Sequence, residues 1–172
     1  TSLKDCLRIY LLSTHLIPKS RIYAMEEMIR EQLFGRTPIT IHIFESFFLS
    51  GQYTPENLMR EYRESILEEL KARSMVEYNM FLNTKYRFEE ENILCLTMED
   101  SVIAKGKQEA IVDLIRTVFN DRCNTPIEVR VVYEEPKESK YRKYNELQLQ
   151  QEINAIVDGN MARHKEHVQE VK

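Results

Sequence analysis

No stretch of this chain is apolar for long enough to cross a bilayer. The longest apolar run, Ile43 to Leu49, is broken by Glu45 and Ser46, whereas a spanning helix needs about 20 apolar residues. The N-terminal end lacks the pattern of a secretory signal. Cysteine is scarce: Cys6, Cys95 and Cys123 lie far apart with no C-x-x-C spacing. That excludes a disulfide framework and fits reduced, buried thiols in a cytoplasmic setting. Basic residues are in deficit, 24 Lys and Arg against 28 Asp and Glu, for a formal net charge of -4. A surface built throughout to hold nucleic acid is therefore excluded, although a local basic site is not.

The signatures of common enzyme chemistry are also missing. There is no phosphate-binding P-loop, no G-x-G-x-x-G, no G-x-S-x-G elbow and no D-x-D or D-x-E pair on a strand to hold catalytic magnesium. His164 and His167 have i, i+3 spacing, but they sit in a charged tail without the three or four preorganised ligands a metal needs. His15 and His42 are isolated. Glu99-Asp100 falls between a strand and a helix, where carboxylates cap. No cofactor, metal or small-molecule substrate is expected.

What the chain does contain is a repeat. Thr37-Pro-Ile-Thr-Ile-His-Ile-Phe44 and Thr125-Pro-Ile-Glu-Val-Arg-Val-Val-Tyr133 both open an alternating apolar run with Thr-Pro-Ile. Aligning them brings Ile17 over Ile103, Lys19 over Lys105, Ala24 over Ala110 and Arg30 over Arg116, with a short insertion near Arg122. One strand–helix–strand unit thus occurs twice, either by duplication or because amphipathic βαβ segments align partly by themselves. With 42% hydrophobic residues in 172, the chain can bury a core. Its start at Thr1 rather than Met is expected of a segment of a longer protein.

In order, residues 1–50 read as the first unit. A strand runs from Cys6 to Leu12. A helix follows Pro18 with the stripe Ile22, Met25, Met28, Ile29 and Leu33 and ends at Gly35. A parallel strand then carries Ile39, Ile41 and Ile43. Residues 51–85 read as a helical pair. Thr54-Pro55-Glu56 starts the first helix, with the stripe Leu58, Tyr62, Ile66 and Leu70 inward and the charges, Glu69 among them, in solvent. The second helix, Ser74 to Leu82, packs Met75, Tyr78 and Leu82. The aromatic stretch Phe44 to Leu49 is expected beneath the Thr54 helix rather than in an open groove. Residues 86–135 form a ββαβ unit: Tyr86 and Phe88, a turn at Glu90-Glu91-Asn92, a strand Ile93–Met98, a helix from about Lys107 to Asp121, and a last strand burying Ile127, Val129 and Val131. Residues 136–172 read as a helix over Ser139 to Val157 followed by a linker.

Two basic pairs are the candidate site. Lys19 and Arg21, and their repeat partners Lys105 and Lys107, fall at strand-to-helix turns, where free N–H groups and the helix dipole already favour a phosphate-sized anion. Val102-Ile103-Ala104-Lys105-Gly106-Lys107 faintly matches the glycine loop of KH domains, with Ala104 in place of the first glycine. The alternative is an ordinary exposed basic turn.

Taken together, the Leu16-Ile17-Pro18 turn, the helix Glu-Asn-Leu-x-x-x-Tyr-x-x-x-Ile-x-Glu-Glu-Leu (Glu56 to Leu70), the Asn92-Ile-Leu opening and the charged tail resemble the N-terminal region of PolC-type DNA polymerase III alpha subunits of low-GC Gram-positive bacteria. The resemblance spans about Leu7 to Val171. The repeat and the order of elements themselves predict an α+β fold of two related units, ferredoxin-like in one sheet or KH-like in two subdomains, with a helical pair between them and a C-terminal helix. The resemblance implies a non-catalytic role in a protein whose other domains are the polymerase and the 3'-5' exonuclease. The implied partner is the clamp-loader tau subunit, with direct DNA contact through the basic turns as the alternative, and no membrane.

Overall fold

The computed structural model describes residues 6–135 and Gln148. The expected tail helix, His164 and His167 lie outside them. Strand β1 (Cys6–Ser13) leads to helix α1 (Lys19–Ile29), which widens into a π-turn over Arg30–Phe34, and strand β2 (Thr40–Phe47) follows. Two helices come next, α2 (Pro55–Arg73) and α3 (Met75–Asn83). The hairpin β3 (Lys85–Glu90) and β4 (Ile93–Glu99) leads to α4 (Val102–Arg116), a second π-turn over Thr117–Arg122, and β5 (Glu128–Glu134). The protein is thus α+β, with two strand–helix–strand units and a helical pair between them.

The strands form two sheets rather than one shared sheet. β1 and β2 pair in parallel, Cys6 opposite Thr40 through Ser13 opposite Phe47. In the other sheet β4 is central, antiparallel to β3 and parallel to β5. Each Thr-Pro-Ile lies immediately before its strand, and each helix ends in the same manner. The Gly35 N–H donates to the Arg30 carbonyl at 3.1 Å and the Cys123 N–H to Val118 at 3.0 Å, both i to i−5 bonds. A left-handed residue then turns the chain out of each helix: Gly35 at φ 53° and Asn124 at φ 48°. These residue types enter that region at least cost. The pairing differs by one position from the repeat alignment, since Leu7 faces Ile41 while its counterpart Ile93 faces Glu128.

The main core lies between the second sheet and the helical pair. Leu58, Met59, Tyr62, Ile66 and Leu70 of α2 are buried against Phe81, Leu94, Leu96, Ile111, Ile115 and Phe119. Thr54 caps α2, its Oγ1 accepting from the Asn57 N–H at 3.3 Å, with Pro55 in the first turn where no N–H is needed. β4 is buried on both faces from Ile93 to Leu96, with Leu94, Leu96 and Met98 in the main core, so it reads as a continuous run rather than an alternation.

Several expectations are corrected. In α3 the buried positions are Glu77 and Phe81, while Met75 and Leu82 are exposed. A nine-residue helix with one inward edge leaves little room for a full stripe. The stretch after Phe44 is not wholly covered: β2 continues through it, so Glu45 and Phe47 point inward and Phe44 and Phe48 outward. Phe47 meets Tyr62 edge to face at 5.7 Å.

The largest correction concerns Val102 to Lys107, which is not a glycine loop but the first turns of α4. Ser101, not the carboxylates before it, is the cap, accepting from the Ala104 N–H at 3.1 Å. Gly106 therefore sits inside a helix, and a Cβ there would meet nothing within 4 Å. Gly106→Ala should raise stability by about 0.5–1 kcal/mol in denaturant unfolding. Destabilisation would show that this segment needs glycine as a loop does.

Candidate functional site

A buried cluster of charges joins the two repeat units. Lys19 opens α1, and its backbone N–H donates to Ser65 Oγ of α2 at 3.1 Å. Its Nζ reaches Glu45 Oε1 and Oε2 of β2 at 2.8 and 3.1 Å and stands 3.8 Å from Glu69 Oε2 of α2. Arg122, from the end of the second π-turn, donates to Glu45 Oε1 at 2.7 Å and grips Glu69 with both terminal nitrogens at 2.8 and 2.9 Å. Arg73 adds a third cation to Glu69 from the rim. Glu45 is only 3% exposed and Glu69 5%. The sequence suggested a solvated Glu69, which the structure overturns: on α2 it faces the chain's own cations.

Two buried carboxylates here meet the buried Lys19 and the partly buried Arg122, so neither sign is left alone in a medium that penalises it. Burial by itself would raise the Glu69 pKa, but the Arg122 hydrogen bonds and the charges of Arg122, Lys19 and Arg73 outweigh it and hold the carboxyl below 4.5. Burial also pushes the neighbouring Cys123 thiol up to about 12, leaving it unreactive. Desolvation and Glu69 push the Tyr23 phenol up to about 12, and its ring lies 5.3 Å from Lys19 Nζ. The arrangement is a fastening, since both carboxylates, Lys19 Nζ and both terminal nitrogens of Arg122 face protein partners.

That geometry places the four basic candidates differently from one another. Lys19 is enclosed in the cluster and does not face solvent as an anion-binding turn requires. Arg21 is exposed on α1 with no carboxylate partner among the described residues. Lys105 and Lys107 lie within α4 rather than on a turn before it. Lys105 pairs with Asp100 at 2.6 Å and Lys107 approaches Glu77 at 3.8 Å. The structure does not assemble a matched pair of basic turns. His42 is exposed on β2, and among the described residues no group of His, Cys, Asp and Glu could hold a metal ion. No helix among them is long and apolar enough to cross a membrane.

Two of the open surfaces carry exposed apolar side chains. One is a groove of about 420 Å³ between α3 and the start of α4, with Val76, Met80, Met98, Ile103 and Ala104 as its apolar lining and Asn79, Asn83, Thr84, Glu99 and Ser101 as its polar groups. Val102, 89% exposed, stands beside it. The other is the outer face of the β1–β2 sheet, where Tyr10 and Phe44 stack with centroids 5.5 Å apart. Comparisons with protein-family models, curated proteins and solved structures yield no match. Sequence reading missed the groove because it expected α4 to begin at about Lys107. The apolar Val102-Ile103 pair ahead of that point was the available signal.

The charge cluster predicts an acid-sensitive fold. A carboxylate with a lowered pKa stabilises the folded state fully above its unfolded value of 4.5, and the contribution is lost as pH falls through the folded value. Denaturation midpoints should therefore drop steeply below that pH, and Glu69→Gln should make the drop shallower; an unchanged pH profile would contradict the assignment. The Tyr62 hydroxyl is buried without a hydrogen-bond partner. Tyr62→Phe should accordingly leave stability unchanged or raise it by up to about 1 kcal/mol in urea unfolding. A loss above 1 kcal/mol would show that the hydroxyl is bonded.

Proposed function

We propose that this chain is the non-catalytic N-terminal accessory region of a PolC-type DNA polymerase III alpha subunit, a cytoplasmic replication module that contacts the clamp-loader tau subunit through its surface. The family reading rests on the residue pattern from Leu7 to Val171, above all the Glu56 to Leu70 helix. Its Leu58, Tyr62, Ile66 and Leu70 form the packed stripe of α2, which is the use that the resemblance implies for them. The polymerase and exonuclease activities belong, on this reading, to other domains of the full-length protein, and no catalytic residue is assigned here.

The observation that carries the interaction reading is the α3–α4 groove. Its lining combines apolar side chains with amides, hydroxyls and the Glu99 carboxylate, which suits a protein side chain with a few orienting hydrogen bonds. Val76, Val102 and Ile103 extend it onto exposed surface. Apolar anchors that fill such grooves dominate the energy of protein contacts. The C-terminal domain of tau is the occupant that the resemblance implies.

Calorimetric titration of the chain with the tau C-terminal domain of the same organism tests this. Micromolar or tighter binding is expected, reduced at least tenfold by Ile103→Asp, whose exposed position leaves the core intact. Absence of heat would remove tau as partner. Binding indifferent to Ile103→Asp would remove the groove as the contact surface.

A further inference from the structure

The outer face of the β1–β2 sheet has features that the protein-contact reading does not use. Strand alternation places Cys6, Arg8, Tyr10 and Leu12 of β1 outward, and Thr40, His42 and Phe44 of β2 beside them. Register sets Arg8 opposite His42 and Tyr10 opposite Phe44. Tyr10 is 73% exposed and Phe44 47%, and their rings stack on one another with an inclination of 25°, which leaves an aromatic surface open to solvent. The His42 ring abuts Phe44 edge-on at 6.4 Å.

The charge on this face is unlike that of the chain as a whole. Acidic residues outnumber basic ones, 28 to 24, yet none of the outward positions from Cys6 to Leu12 or from Thr40 to Phe44 is Asp or Glu. The one acidic residue of these two strands, Glu45, points inward and is neutralised by Lys19 and Arg122. Arg8 is exposed and has no carboxylate partner among the described residues, in contrast to Arg30, Arg73, Arg87 and Arg130. A guanidinium with no carboxylate partner among the described residues, beside exposed aromatic rings, suits a ligand with an anionic backbone and flat apolar faces.

We propose that this face is a stacking platform for single-stranded nucleic acid, with bases on Tyr10 and Phe44 and a backbone phosphate on Arg8. Aromatic rings accept any base because every base has a π-face, and a nearby Arg supplies a bidentate phosphate contact. A protein partner would gain from the apolar area but would leave the Arg8 charge without a use. The platform lies on β1 and β2, apart from Lys105 and Lys107, and it does not depend on the tau reading.

The test uses fluorescein-labelled oligothymidine and oligouridine of about twelve nucleotides, within the range of known single-strand site sizes. Anisotropy is followed with the 172-residue chain at low and moderate salt. Salt-sensitive binding is expected, weakened about tenfold or more by Tyr10→Leu, which keeps apolar area but removes the ring. Arg8→Met should lower the salt slope by about one. Lys105→Ala with Lys107→Ala should leave affinity unchanged. Because Cys6 is the exposed cysteine and Cys95 and Cys123 are buried, bound oligonucleotide should also slow Cys6 alkylation. Comparison of the two oligonucleotides separates DNA from RNA as the ligand. No binding at low salt overturns the proposal. So does binding that survives Tyr10→Leu, or that is lost in the lysine double variant and therefore belongs to α4. Ile103→Asp should leave oligonucleotide binding intact, which keeps this outcome distinct from the tau titration.

Discussion

Two buried carboxylates, held by the buried Lys19 and the partly buried Arg122, are the constraint around which this fold is arranged. Glu45 and Glu69 come from a strand and a helix that carry the core, and neither would be tolerated at its inward position alone. Lys19 meets them from the first repeat unit and Arg122 from the last turn of the second. The α1 start, β2, α2 and the second π-turn must therefore arrive together for any one of these charges to be satisfied. Arg122 lies at the short insertion that breaks the repeat alignment. Its interactions with Glu45 and Glu69 have no equivalent at the end of the first helix, where Arg30 instead pairs with nearby Glu27 on the exposed surface. The two units thus share an architecture but not this role.

Much of the architecture was legible because it follows from local periodicity. The α2 stripe, its Thr-Pro cap, the glycine stop at Gly35 and the alternation of Ile41 and Ile43 each depend on residues within a few positions of one another. What was not legible depends on distant partners. Glu69 sits in a run of charges and reads as solvated, since nothing near it in sequence announces Arg122, 53 residues away. Lys19 reads as an exposed basic turn for the same reason. The start of α4 was set too late because Gly106 and two lysines suggested a loop, whereas the Ser101 cap and tertiary cover on Ala104 and Ile111 override the local glycine penalty.

Function is legible to a different depth. The resemblance to polymerase alpha subunits concerns apolar positions, which specify packing, and packing does not name a partner. The surfaces left over after packing are more informative about contacts. The α3–α4 groove and the β1–β2 face occupy different elements and differ in chemistry: the first is apolar with amide, hydroxyl and carboxylate groups, the second aromatic with a guanidinium that has no carboxylate partner among the described residues. A module that holds a protein on one and a single strand on the other would use no catalytic group, and its specificity would come from shape and charge alone.

The ion pair of Glu45 with Arg122 couples the two units across their boundary. A double-mutant cycle with Glu45→Gln, Arg122→Met and the combined variant, followed by denaturant unfolding, measures that coupling directly. Each single change should destabilise by about 3–5 kcal/mol, because it leaves buried charge uncompensated. The double variant should lose clearly less than the sum, by at least about 2 kcal/mol. Additive losses within about 0.5 kcal/mol would show that the two side chains act independently and would remove the cluster from the centre of the fold.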